Sequence, residues 1–90
     1  MTSCCHVLIE GRVQGVFFRL TMLNEAQKRG VVGWVRNLHD GRVEATFEGT
    51  RDDIEALLIF CKRGPRYARV DKIDSRWQRP TGKYVGFTVR

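Results

Sequence analysis

The chain has no apolar segment that could cross a membrane and no recognisable targeting leader. None of its apolar runs approaches the roughly 18 residues that a membrane-spanning helix needs. The opening segment, MTSCCHVLIE, contains neither a charged leader nor a long apolar stretch. We therefore expect a soluble cytoplasmic protein with no membrane partner.

Cysteine is scarce and is not arranged for metal binding. Cys4, Cys5 and Cys61 are an odd number, and they form neither a C-x-x-C motif nor a Cys/His spacing that would close a tetrahedral zinc site. The pattern predicts buried or idle thiols in a reducing compartment, no metal site and no cofactor.

Proline is rare, and internal repeats, low-complexity tracts and linkers are absent. The two prolines, Pro65 and Pro80, lie late in the chain, where they interrupt secondary structure rather than separate domains. Residues 1–90 are therefore predicted to form a single domain. Because 42% of the residues are apolar, the chain can build its own core, and we expect a monomer that folds alone.

Acidic residues are outnumbered by basic ones. Ten Asp and Glu stand against sixteen Lys and Arg, which gives a formal net charge of +6. This balance favours anionic partners, but it does not distinguish nucleic acid, membrane headgroups and phosphorylated metabolites. The basic residues are scattered among acidic ones, so most of them are expected on a solvated surface.

Hydrophobic periodicity predicts five strands and two helices. An Asp-Gly pair at 40–41 predicts a hairpin turn between the second and third strands. In the third strand Arg42, Glu44, Thr46 and Glu48 alternate with apolar residues and are expected on a face exposed to solvent. The predicted elements, in order, are a strand at 5–11, a helix at 18–29, strands at 31–38 and 42–48, a helix at 51–63, and strands at 68–77 and 86–90.

This order of elements predicts a fold of the α+β class. A strand, a helix, two strands, a second helix and two further strands follow one another, as in the ferredoxin-like sandwich. We expect an antiparallel sheet of four to five strands with both helices on one face.

The two helices begin differently. Thr50, with Asp53 three residues later, has the capping-box pattern for the second helix. The segment VQGVFFR before the first helix offers no Ser, Thr, Asp or Asn that could accept hydrogen bonds from the first-turn amides. An anion can serve as that acceptor, because open amides at the positive end of a helix attract negative charge. Gly15 would let the backbone curve around the anion, and Arg19 would add a planar fork for two phosphate oxygens.

Strand directions predict that Asn37 lies beside the same loop. If the first strand runs towards the loop and the first helix runs back, the second strand ends next to the loop. The residue at that end is Asn37. Its carboxamide carries an acceptor and donors, so it could hold a water molecule against a bound phosphorus atom. Phosphoryl transfer to water depends mainly on positioning and charge stabilisation, which these groups could provide for a substrate with a good leaving group.

Three segments resemble the acylphosphatase family. They are GRVQGVFFR at 11–19, GWVRNLHDGRVEATFEG at 33–49, and GPRYARVD at 64–71 followed by a later Gly-Phe pair. The resemblance covers nearly the whole chain in the expected order. It implies that Arg19 and Asn37 are catalytic, and that a loop binds the phosphate through Gln14, Gly15, Val16, Phe17, Phe18 and Arg19.

The resemblance also implies the reaction and its ligands. The substrate would be a small acyl phosphate, whose carboxyl–phosphate bond is hydrolysed without a metal, and inorganic phosphate would be both product and inhibitor. Many members of the family carry Gly where this chain has Phe17. A bulky side chain there would either narrow the loop or contact the acyl group, so it bears on the substrate range.

Other interpretations of the same residues stay open. A turn containing glycine is commonly a plain connection, and Asn near an Asp-Gly turn is commonly a turn former. A carbamoyl-phosphate or other anion-binding accessory domain is an alternative, although an end at Arg90 without a further domain favours a free-standing enzyme. An RNA-binding ferredoxin-like module is less favoured, because RVEATFE lacks the aromatic pattern that stacks bases. Neither His6 nor His39 is assigned a role.

Overall fold

Seven regular elements follow one another in the predicted order. The computed structural model describes residues 1–90. Each element agrees with its predicted position to within a few residues at its ends. The elements are β1 (Thr2–Arg12), α1 (Phe18–Lys28), β2 (Val32–Asn37), β3 (Val43–Thr50), α2 (Arg51–Arg63), β4 (Arg69–Gln78) and β5 (Phe87–Val89).

The strands form one sheet in the order β4-β1-β3-β2-β5. The pairs β1/β3, β1/β4 and β2/β3 are antiparallel, whereas β2 and β5 are parallel. The ferredoxin-like α+β fold is confirmed, but the expectation of a wholly antiparallel sheet is wrong at β5. Residues 79–86 carry the chain from the β4 edge to the opposite edge, so β5 enters beside β2 in the same direction.

The core lies between the sheet and the two helices, which pack on one face. Apolar residues of one parity on β1 and β3 meet the buried faces of α1 and α2. Each fully buried side chain of this size stabilises the fold by about 1.5–3 kcal/mol. The largest of them are Phe18, Phe47, Ile9, Met22, Ile54 and Leu57. Neither helix is long and apolar enough to span a bilayer.

A β-bulge lies near the end of β1, just before the loop that leads to α1. The register with β4 shifts between Glu10 and Gly11. Gly11 has φ 134°, and a Cβ atom at this position would overlap the main-chain oxygen of Arg69. Only glycine fits there, so this residue fixes the direction in which the loop leaves the sheet.

The solvent-facing side of β3 is partly covered, contrary to the sequence prediction. Thr46 and Glu48 are only 4% and 3% exposed. Residues 79–86 fold over this side, and the Glu48 carboxylate accepts hydrogen bonds from the main-chain N–H groups of Thr81 (2.9 Å) and Gly82 (3.0 Å). Alternation along β3 could not reveal this cover, because it comes from a segment distant in sequence.

Candidate active site

The loop between β1 and α1 opens onto a cavity at the end of β2. Its volume is about 470 Å³. Asn37 and the loop residues meet there, as the strand directions predict. The lining residues are Val13, Gly15, Phe17, Phe18, Arg19, Leu20, Asn37 and Val89.

The loop leaves a row of main-chain donors without a protein acceptor. No N–H group from Gln14 to Leu20 donates to an oxygen of the protein, and α1 has no side-chain cap. In contrast, the N–H group of Asp53 in α2 donates to the Thr50 hydroxyl at 3.2 Å, so the predicted cap of α2 is confirmed. Free amides at a helix start form a site suited to an oxyanion.

The backbone of the loop is curled by two left-handed residues. Gly15 has φ 73° and Phe17 has φ 63°, and Phe17 is the one non-glycine residue of the chain with positive φ. Left-handed residues among right-handed ones turn successive N–H groups towards a common point, as in anion-binding nests. The conformation costs a bulky residue about 1–2 kcal/mol relative to its right-handed form.

Gln14 connects the loop to the turn after β2. Its side-chain Nε2 donates to the main-chain oxygens of Leu38 (2.7 Å) and Arg42 (2.9 Å). The side-chain amide of Gln14 is therefore engaged with the turn, and only its main-chain N–H is free for a ligand. Val16 turns its side chain into the core, so it too could bind a ligand only through its main chain.

Arg19 is a cation that forms no ion pair with an Asp or Glu side chain. It lies in the first turn of α1, whereas six other Lys and Arg residues, and His6, do form ion pairs. The one hydrogen bond of its side chain is long, 3.4 Å, and is donated to the main-chain oxygen of Arg90. The guanidinium is partly exposed and stands beside the cavity, where it can reorient towards an anionic ligand.

Asn37 carries an unpartnered polar atom. Its side-chain Oδ1 is buried and accepts no hydrogen bond. Most buried polar atoms have a partner, and leaving one unpaired costs about 1–3 kcal/mol. An amide oxygen held in this state in the wall of a cavity is poised to accept a hydrogen bond from a molecule that enters.

The turn after β2 contributes little net charge to the site. Asp40 pairs with Arg42 at 2.8 Å, and hydrogen bonds from Arg42 hold the pKa of the Asp40 carboxyl below its ordinary value. No group of three or more His, Cys, Asp or Glu side chains is placed to hold a metal ion. No Asp or Glu side chain forms an ion pair with Arg19, so no acidic side chain cancels its positive charge.

A family model described as Acylphosphatase matches residues 5–89. The chain belongs to the acylphosphatase family. An acylphosphatase from Roseiflexus sp. (strain RS-1) is 54% identical over 84 residues, which are 93% of this chain and 90% of that protein. The crystal structure of acylphosphatase from Bacillus subtilis superposes with a TM-score of 0.94 at 33% identity, covering 100% of this chain and 99% of that one.

An acylphosphatase-like region also occurs within a much longer protein. A crystal structure of full-length HypF in the phosphate- and nucleotide-bound form matches this chain with a TM-score of 0.87 at 29% identity. The match covers 100% of this chain but 12% of HypF. The fold of the acylphosphatase family is thus found both as nearly a whole protein and as a small part of one.

Three lining residues of this acylphosphatase-family chain were not predicted from the sequence. The sequence pattern places Val13 in the approach to α1, Leu20 in the helix and Val89 in a short terminal strand. Their position in the cavity wall depends on which strand β5 pairs with and on how the loop curls. Neither the pairing of β5 nor the curvature of the loop has a local sequence signal. The apolar part of the site therefore could not be predicted.

Proposed function

We propose that the chain is a metal-independent acylphosphatase. It would hydrolyse the carboxyl–phosphate bond of small acyl phosphates to a carboxylate and inorganic phosphate. The observation that carries the proposal is the meeting of unbonded loop amides, the unpaired Arg19 and the unpartnered Asn37 amide oxygen in one cavity. Membership of the acylphosphatase family supports the same reaction.

The phosphoryl group would be held by the loop and Arg19. Main-chain N–H groups of Gln14, Gly15, Val16, Phe17 and Phe18 donate to its oxygens, and the guanidinium of Arg19 grips two of them. The positive end of the α1 dipole adds to this attraction. These donors stabilise the charge that spreads over the equatorial oxygens during transfer.

Water would attack the phosphorus atom in line with the leaving carboxylate. The Asn37 oxygen accepts a hydrogen bond from that water and so aims an oxygen lone pair at phosphorus. The new P–O bond forms as the bond to the acyl oxygen breaks, and the carboxylate leaves with the electron pair. The proton lost by the water is taken up by phosphate. A carboxylate is a weak base, so its departure needs no general acid.

The test is turnover of benzoyl phosphate in the presence of EDTA. We expect phosphate release well above the spontaneous rate. Arg19→Lys keeps the charge but loses the fork, so KM should rise, and Asn37→Ala should lower kcat with binding largely retained. Arg76→Lys and Asn24→Ala change exposed residues away from the cavity and serve as matched controls. Release no faster than the spontaneous rate would contradict the proposal.

A second candidate is an anion-binding accessory domain, for carbamoyl phosphate or a similar ligand. The match to a small part of HypF favours it. Such a domain would bind inorganic phosphate through Arg19 without turnover of any acyl phosphate. An RNA-binding module would behave differently again, because its salt-sensitive binding of oligonucleotides would not respond to changes at Arg19 or Asn37.

Three further properties belong to the proposal. Inorganic phosphate, as the product, would occupy the loop and inhibit competitively. The protein would be a monomer, because a continuous core of 17 buried residues is completed within one chain. It would act in the cytoplasm, where its three free, buried thiols suit a reducing environment. Inhibition kinetics, light scattering and cell fractionation test these properties separately.

A further inference from the structure

The cavity has an apolar rim that phosphate binding does not require. We define the apolar rim as Phe17, Leu20 and Val89, which are 75%, 51% and 41% exposed and line the same cavity. They come from the loop, from α1 and from β5. The polar groups proposed to hold the phosphate share this cavity, so a ligand bound by them would lie against the rim.

The protein core does not explain the position of Phe17. Its ring is mostly exposed and lies outside the buried cluster, whereas its neighbour Phe18 is only 1% exposed and belongs to that cluster. The residue also holds a left-handed backbone that glycine adopts without strain. A strained, exposed aromatic at the mouth of a cavity points to contact with a ligand. Its exposure also means that the ring does not fill the loop.

The cavity is large enough for more than a phosphoryl group. Its volume of about 470 Å³ falls within the 300–1,000 Å³ that is common for pockets enclosing whole small molecules. Five of the eight lining residues are apolar. A phosphoryl group bound at the loop amides and Arg19 leaves the apolar part of the wall free for the rest of the substrate.

We propose that the apolar rim binds the acyl group and selects acyl phosphates that carry a bulky apolar acyl group. This inference rests on the proposed acylphosphatase function and assigns a part of the cavity that the phosphoryl chemistry does not use. Burial of the acyl group against Phe17 and Leu20 removes apolar surface from water on both sides. An aromatic acyl group can in addition stack on the Phe17 ring.

The test compares two substrates that share the scissile bond and differ in the acyl group. Benzoyl phosphate carries an aromatic ring and acetyl phosphate a methyl group. For each protein we measure the ratio of kcat/KM for benzoyl phosphate to kcat/KM for acetyl phosphate. Leu20→Ala removes an aliphatic side chain from the rim. Phe17→Asn removes the ring but keeps a residue that tolerates the left-handed conformation. Ile59→Ala is the matched control, since Ile59 is an exposed aliphatic residue on α2 outside the cavity.

We expect each rim variant to lower the ratio of kcat/KM for benzoyl phosphate to that for acetyl phosphate about tenfold. Loss of one apolar contact with a substrate commonly changes specificity by at least this much. Ile59→Ala should leave the ratio unchanged. An equal fall in kcat/KM for both substrates would overturn the inference, because the rim would then act on the phosphate loop and not on the acyl group. Failure of the proposed function looks different: the unaltered protein would hydrolyse neither substrate.

Discussion

Phe17 adopts a main-chain conformation that favours glycine, and this strain can be measured. The left-handed φ of 63° at Phe17 costs about 1–2 kcal/mol. Glycine would remove this cost, but it loses more conformational entropy on folding than other residues, which opposes the gain by about 0.5–1 kcal/mol. The ring is exposed and contributes little to packing. We therefore expect Phe17→Gly to raise the free energy of unfolding by about 0.5–1 kcal/mol. Urea unfolding followed by tryptophan fluorescence measures this change.

Phe17→Ala separates backbone strain from the loss of the ring. Alanine retains a Cβ atom, so the left-handed conformation stays unfavourable and no gain in stability is expected. If both variants were equally stable, relief of strain could not be the cause. The comparison also shows whether the fold tolerates a smaller residue in the loop before kinetic experiments are undertaken.

The three thiols should be unreactive in the folded protein. Cys4, Cys5 and Cys61 are buried and free. Burial and the nearby Glu48 carboxylate raise the pKa of Cys4 to about 11, and burial raises the pKa of Cys5. Because the thiolate is the reactive form, reaction with Ellman's reagent at pH 8 should be slow before unfolding and rapid in guanidinium chloride. Rapid reaction of the folded protein would show that these sites open to solvent.

At the scale of elements, local chemistry in the sequence predicted the two helix starts. The Thr50 cap and the uncapped start of α1 both follow from residue types within four positions of each helix. The direction of β5 and the left-handed backbone at Phe17 could not be predicted in this way. They depend on the path of residues 79–86 across the sheet and on tertiary contacts of the loop. Hydrophobic periodicity and secondary-structure propensity contain no information about either.

Inorganic phosphate should stabilise the start of α1. If it binds the free amides and Arg19 in the folded state alone, a concentration of 100 Kd adds about 2.7 kcal/mol to the free energy of unfolding. Arg19→Lys should reduce the resulting rise in Tm, whereas Arg76→Lys should not. Sodium chloride at matched ionic strength controls for general screening of charge. A rise in Tm that is the same in both variants would place the ion elsewhere.

The hydrogen bonds of Gln14 connect the loop before α1 to the turn that follows Asn37. Two hydrogen bonds from its side chain to that turn contribute about 1 kcal/mol each. Gln14→Ala should therefore lower stability and, by loosening Asn37 relative to the loop, lower kcat more than it raises KM. Gln27→Ala, on the exposed surface of α1, is the control. A normal kcat in a destabilised Gln14→Ala protein would argue against this coupling.

At the scale of the whole molecule, Glu48 connects the crossing segment to the sheet and makes stability depend on pH. Burial raises the pKa of Glu48, but hydrogen bonds from the Thr81 and Gly82 amides outweigh this effect and hold it below the ordinary 4.5. The contribution of the Glu48 carboxylate to the free energy of unfolding is therefore complete above pH 4.5. It is lost as the pH falls through the lower pKa that this group has in the folded state. Glu48→Gln should cost about 1.5–3 kcal/mol at pH 7, and the difference from the unaltered protein should shrink below about pH 4. Urea unfolding between pH 3 and pH 7 measures this difference. Glu55→Gln, on the exposed face of α2, is the control. If the difference in unfolding free energy between Glu48→Gln and the unaltered protein stayed constant over this range, the role given to the Glu48 carboxylate would be wrong.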